Sequence, residues 1–92
     1  MTTLHMDTDK CNDTQARMVS HYHNMISSLQ AITGSINSVV STSWIGYSAY
    51  EFKQEYDQLE WVIRFELGQL EQLSTTFQNE INQWETMASH LR

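Results

Sequence analysis

The sequence contains no proline and only three glycines among its 92 residues. Proline and glycine supply most tight turns, so a chain this poor in both has few positions at which it can turn. Folds made of many short strands are therefore excluded, and a few long elements are expected. In a chain of this length, long unbroken elements are helices, and one domain over residues 1–92 is predicted.

Basic residues are also scarce, since five Lys and Arg stand against eleven Asp and Glu, which gives a formal net charge of −6 at pH 7. Nucleic acids and anionic membrane surfaces both attract clustered cations, so neither is an expected partner. No apolar run approaches the ~20 residues that span a bilayer, so no membrane insertion is expected. Residues 1–10 lack the basic and apolar regions of a Sec-type signal peptide, which predicts that no such signal operates.

Cys11 is the only cysteine, so no disulfide can form within the chain. Two interpretations of it stay open: a small apolar residue at a helix start, or a thiol that reacts or bridges two chains. His21 and His23 are two residues apart and lie on different helix faces, whereas metal ligands on one helix are three or four apart. Phosphate-binding glycine loops and serine or cysteine nucleophile motifs are missing. We therefore predict a non-enzymatic protein without catalytic residues, metal or cofactor.

A heptad pattern dominates the first half of the chain. From Met18 onward, apolar residues recur in steps of four and three, the spacing of the a and d positions along a helix–helix contact. The pattern predicts a first helix over about residues 8–42. The residues assigned to the core of the hairpin on this helix are Met18, Tyr22, Met25, Leu29, Ile32, Ile36 and Val39.

The second half repeats the pattern after a break at residues 41–47. Ser48 and Glu51 have the spacing of a capping box, which predicts a second helix over about residues 48–90, antiparallel to the first because the link is short. Its apolar residues recur every 3.5 residues or so, again the coiled-coil period. The core residues assigned to this helix are Phe52, Tyr56, Leu59, Ile63, Leu70, Phe77 and Trp84.

Two helices packed only on each other leave much apolar surface exposed, so we expect the hairpin to pair into a dimeric four-helix bundle. The stretch from Met18 to Tyr50 contains no Asp, Glu, Lys or Arg, and small residues share one face within it. Small side chains let two helices approach closely, although a neutral, solvated face would have the same composition. The predicted dimer interface consists of Ser27, Ala31, Gly34, Ser38 and Ser41.

The break itself contains Trp44-Ile45-Gly46, at the middle of the chain and between two amphipathic halves, with Ala49 and Phe52 following the glycine. This arrangement resembles the WxG family of small proteins similar to the early secreted antigenic target of bacterial type VII secretion. The resemblance implies a helical hairpin whose turn motif is Trp44 and Gly46. It implies pairing with itself or with a related WxG-type chain, and contact with a membrane ATPase. It also implies a cytoplasmic protein that is exported without a cleaved signal, as a substrate or as an adaptor or chaperone.

Many members of that family carry a Tyr-x-x-x-Asp/Glu export signal after the second helix, and residues 84–92 contain no tyrosine. Either a partner supplies the signal, or the chain is a relative that is not secreted. The sequence therefore leaves a second function open: an intracellular structural or regulatory hairpin that binds other proteins and has no link to export.

Overall fold

The structure is a computed structural model and describes residues 5–90. Helix α1 spans Thr8–Ser38, continues as a wider π-helical segment over Val39–Ser43, and is followed after a short turn by helix α2 over Tyr47–His90. No strand occurs among residues 5–90. The predicted all-α class and the two-helix hairpin are confirmed. The resulting rod measures 69 × 20 × 19 Å.

The first helix begins and ends at side chains that compete for backbone hydrogen bonds. Asp7 caps the start, because its carboxylate accepts a bond from the Lys10 amide at 3.1 Å. At the other end, the Thr42 hydroxyl donates to the carbonyl of Ser38 at 2.7 Å, and the Trp44 amide reaches back five residues to the carbonyl of Val39. Hydroxyl competition therefore widens the last turn into a π-helix, and regular α-helix ends at residue 38, earlier than the predicted 42.

Gly46 makes the turn possible, with a φ of +131° that side-chain-bearing residues rarely adopt. Its carbonyl accepts a hydrogen bond from the Tyr50 amide at 3.1 Å, so α2 begins at Tyr47, one residue before the predicted start. Ser48 thus lies inside the first turn, and the capping box predicted for it is wrong. The predicted turn at Trp44 and Gly46 is where the chain reverses.

The contact between the two helices follows a regular series in steps of four and three. On α1 and the π-helical segment that continues it, the buried and half-buried residues of this series are Tyr22, Ile26, Leu29, Thr33, Ile36 and Val40. On α2 they are Ala49, Lys53, Tyr56, Glu60, Ile63, Leu67, Leu70, Ser74, Phe77, Ile81, Trp84 and Ala88. Ile81 is fully buried, and Ala49 is 3% exposed. The interior of the hairpin is thus a coiled-coil contact with polar residues at several of its positions.

Five of the predicted core residues are exposed in this hairpin, which corrects their assignment. They are Met25 (41% exposed), Ile32 (50%), Val39 (39%), Phe52 (39%) and Leu59 (56%). Each precedes a residue that does face the other helix by one position, and one position on a helix is a rotation of about 100°. The remaining predicted core residues lie in or beside the contact. Leu29 and Tyr56 are buried, and the half-buried ones are Met18, Tyr22, Ile36, Ile63, Leu70, Phe77 and Trp84.

Candidate interaction surface

Exposed apolar side chains recur every seven or fourteen residues on both helices, which places them on one side of each helix. On α1 and the π-helical segment that continues it, this series is formed by Met25, Ile32 and Val39, and on α2 by Phe52, Leu59, Leu73 and Met87. We call these seven residues the apolar face. Leu73 is 59% exposed and Met87 is 49% exposed, so neither helix of the chain covers this series.

The two halves of the apolar face lie on the same side of the hairpin. On each helix the exposed series directly flanks the interhelical contact, and in an antiparallel pair these two flanks meet on one side. An open groove on that side is lined by Met25 and Ile32 of α1 and by Ile63 and Leu67 of α2. The surface is therefore continuous across both helices rather than split between opposite sides of the rod.

At the turn, the apolar face continues into Trp44. The indole ring of Trp44 lies 5.3 Å from the ring of Phe52, with the two planes tilted by 44°. Trp44 stays 38% exposed, so it covers the start of α2 without being enclosed by it. The predicted turn residue thus packs on a residue of the apolar face, and the apolar surface extends to that end of the rod.

The other flank of the interhelical contact carries charged pairs. Lys53 pairs there with Asp57, and Arg64 lies 3.6 Å from Glu60. Glu60 also accepts a hydrogen bond from the Thr33 hydroxyl, and this bond, with the nearby Arg64 charge, lowers the pKa of Glu60 below its ordinary value against the opposing effect of burial. The two flanks of the interhelical contact therefore differ in chemistry. A separate group of exposed apolar side chains, Trp61, Val62 and Phe65, lies outside both the contact and the apolar face, with the Trp61 and Phe65 rings stacked 5.8 Å apart.

Another side-chain interaction between the helices joins Tyr22 and Glu71. Partial burial, followed by the nearby Glu71 carboxylate, raises the pKa of the Tyr22 hydroxyl. Tyr22 and Glu71 also line a small cleft with Val19, His23 and Ser74. The cleft is thus formed by residues of both helices, and its polar groups lie between α1 and α2.

The small-residue stripe predicted as a dimer interface lies elsewhere. All five of its residues are exposed, on the surface of α1 that points away from α2. A Cβ atom added at Gly34 would meet nothing within 4 Å, so the glycine is not required by packing inside the hairpin. The role of Ser27, Ala31, Gly34, Ser38 and Ser41 as an interface stays a prediction.

The described residues also show what chemical groups the hairpin brings together. Cys11 is a free, half-buried thiol in the second turn of α1. Within residues 5–90, no three His, Cys, Asp or Glu side chains are grouped so that they could hold a metal ion. The same part of the chain has no helix with the length and apolar character to cross a membrane.

Sequence reasoning missed several residues of the interhelical contact. Ser74 is 5% exposed and accepts a hydrogen bond from the Gln15 amide at 3.1 Å. A pattern of apolar residues does not include it, because serine is polar. Ala49 was missed because it is small. Both continue the four-and-three series that runs through Tyr56 and Ile81, and this spacing is the signal that could have found them.

The fold defines an α-helical hairpin protein with an uncovered apolar side. Comparison of the chain with models of protein families, with curated proteins and with solved structures found no match in any of the three. Membership of the WxG family therefore stays a prediction, based on Trp44, Gly46 and their position between the two helices.

Proposed function

We propose that this chain is a helical-hairpin binding protein that pairs with a second helical hairpin through the apolar face. The observation that carries the proposal is the exposure of seven large apolar side chains on one side of the hairpin. Burying the exposed part of each side chain would contribute about 1 kcal/mol, by the usual value for apolar area. Large exposed apolar patches mark interaction sites in soluble proteins.

The heptad pattern specifies the type of partner. A helix in a four-helix bundle presents about three of every seven positions to the core, whereas a helix in an isolated pair presents two. On α1 the contact with α2 uses the positions of Leu29 and Thr33, and Ile32 belongs to the third, uncovered position. A second pair of helices laid on this side would complete a bundle, which supports a dimer of hairpins.

We further propose that the protein acts in a bacterial type VII secretion system, as an exported substrate or as an adaptor or chaperone for its partner. The resemblance of the Trp44-Ile45-Gly46 turn to the WxG family supports this role, together with the hairpin on either side of it. The partner is a second copy or a related WxG-type chain, and the translocon ATPase is a further contact. The protein is then cytoplasmic before export and leaves without a cleaved signal.

A photocrosslinking residue placed in the producing bacterium tests the pairing. Introduced at Ile32, which is 50% exposed on the apolar face, it should give an adduct larger by one hairpin-sized chain. Introduced at Ala31, which is exposed on the small-residue stripe, it should give none. An adduct from Ala31 alone would place the interface on that stripe, and no adduct from either position would contradict the proposal.

Export is tested separately, by comparing the culture medium of a strain with an intact type VII ATPase and a strain that lacks it. The protein should reach the medium only in the first strain. Retention inside both strains, combined with an adduct from Ile32, would instead support an intracellular hairpin adaptor with no link to export.

A further inference from the structure

The apolar face contains two carboxylates on its α2 side. Glu66 and Glu80 belong to the same seven-residue series as Leu59, Leu73 and Met87, so they lie in line with these side chains. Both glutamates are exposed. Neither belongs to an ion pair among the described residues. Any helix laid along this side of α2 would therefore meet alternating apolar and acidic side chains.

The described part of the chain has no cation on this face. Arg17 lies 3.1 Å from Asp13, Arg64 pairs with Glu60, and Lys53 pairs with Asp57. Each of these three cations is thus used by a carboxylate four residues away on its own helix. Lys10, the remaining Lys or Arg of residues 5–90, lies in the first turn of α1, outside the series that forms the apolar face.

A second copy of the chain is consequently a poor occupant of the face. Pairing two copies would bring together two chains of net charge −6 and would desolvate Glu66 and Glu80 of each without a cation opposite them. Removing unpaired carboxylates from water is costly, whereas carboxylates that meet Arg or Lys in good geometry are compensated. Charge complementarity therefore favours a partner hairpin that carries cations over a second copy of this chain.

We infer that the apolar face is built for a different helical hairpin, one that presents an apolar heptad series with Lys or Arg facing Glu66 and Glu80. The two glutamates are fourteen positions apart, about 21 Å along the helix, so the partner's cations should be two heptads apart. This inference rests on the proposed pairing of hairpins and adds the identity of the partner by its charge.

Variants of the full chain test the inference by sedimentation at pH 7.5. The wild type should stay monomeric at low micromolar concentration. The Glu66→Leu/Glu80→Leu variant, which removes both charges from the face, should self-associate at least about tenfold more tightly than the wild type, the ratio that ~1.4 kcal/mol produces. A matched variant, Asp9→Leu/Glu51→Leu, changes the net charge equally at exposed positions outside the face and should stay monomeric.

The cationic probe is a copy with Glu66→Lys/Glu80→Lys. Mixed with the wild type, it should give a one-to-one complex at least about tenfold tighter than either chain alone, weakened at high salt because charge pairs are screened. Circular dichroism checks that each variant remains helical.

The possible outcomes distinguish failure of the inferred cationic partner from failure of the proposed pairing of hairpins. A wild-type dimer as tight as the Leu variant would overturn the inference but keep the proposed pairing of hairpins. Equal self-association of the matched variant, or a mixture no tighter than the wild type alone, would also overturn the inference. Absence of association in every sample would overturn both the inference and the proposed function.

Discussion

The side-chain amide of Gln15 donates to the hydroxyl of Ser74 at 3.1 Å, joining α1 to α2 across 59 residues of chain. The same amide lies 3.5 Å from the Ser74 carbonyl. Ser74 is 5% exposed, so its hydroxyl depends on this partner. A slip of the helices by one position would replace Ser74 with Leu73 and leave the amide of Gln15 without its acceptor. The pair therefore helps to select the register of the hairpin.

Gln15→Ala should lower the free energy of unfolding by about 1 kcal/mol, because the Ser74 hydroxyl would stay buried without a hydrogen-bond donor. Urea unfolding followed by circular dichroism measures the change. Gln30→Ala is the matched control, since Gln30 is an exposed glutamine on the same helix. If the two variants lose the same stability, the Gln15–Ser74 contact does not stabilise the hairpin.

Two glycines should respond to alanine in opposite directions. Gly46→Ala should destabilise the hairpin by about 1–3 kcal/mol, because an L side chain at a φ of +131° is strained. Gly68→Ala should stabilise it by about 1 kcal/mol, since alanine favours the helix and the new Cβ meets nothing within 4 Å. Thermal unfolding of both variants tests this, and a stabilising Gly46→Ala would contradict the assigned turn.

Leu59 and Leu67 should separate binding from folding. Leu67→Ala should lower stability by about 2–4 kcal/mol, because this side chain is 7% exposed and packs between the helices. Leu59→Ala should change the stability of the monomer little, because Leu59 is 56% exposed, yet it should weaken the complex with the cationic probe. Urea unfolding of the monomer and sedimentation of the mixture measure the two effects. Equal losses of stability would show that Leu59 belongs to the hairpin core.

Acid should weaken the contact between Thr33 and Glu60. The pKa of Glu60 is lowered in the fold, chiefly by the hydrogen bond from Thr33, so its contribution to stability is present above its ordinary pKa of 4.5 and is lost as pH falls through the lowered value. Glu60→Gln should therefore flatten the part of the stability profile below pH 4.5. Urea midpoints measured over that range test the prediction.

Glu51→Gln serves as the control for this experiment, since Glu51 is exposed and lies outside the interhelical contact. If Glu60→Gln and the wild type show the same dependence of stability on pH, the Glu60 carboxylate does not have this role.

The sequence by itself determined the helices and the turn between them. Without proline, and with Gly46 between two heptad patterns, the chain had few alternatives to one reversal near its middle. The hydroxyl residues around Thr42 indicated a break but not a π-helix, because their effect depends on which backbone carbonyl each hydroxyl reaches. Local chemistry thus determined the elements, and hydrogen-bond geometry set their ends.

Only the tertiary structure decided which side of each helix faces the other. The apolar band is about three heptad positions wide on α1, and any two adjacent positions satisfy a spacing of four and three. The fold selected the pair that contains Thr33 on α1 and Glu60 on α2, because their polar groups meet partners across the contact. Ile32 and Leu59 were left outside by the same rotation. That rotation left the apolar face exposed. The heptad pattern of one helix alone does not specify the rotation.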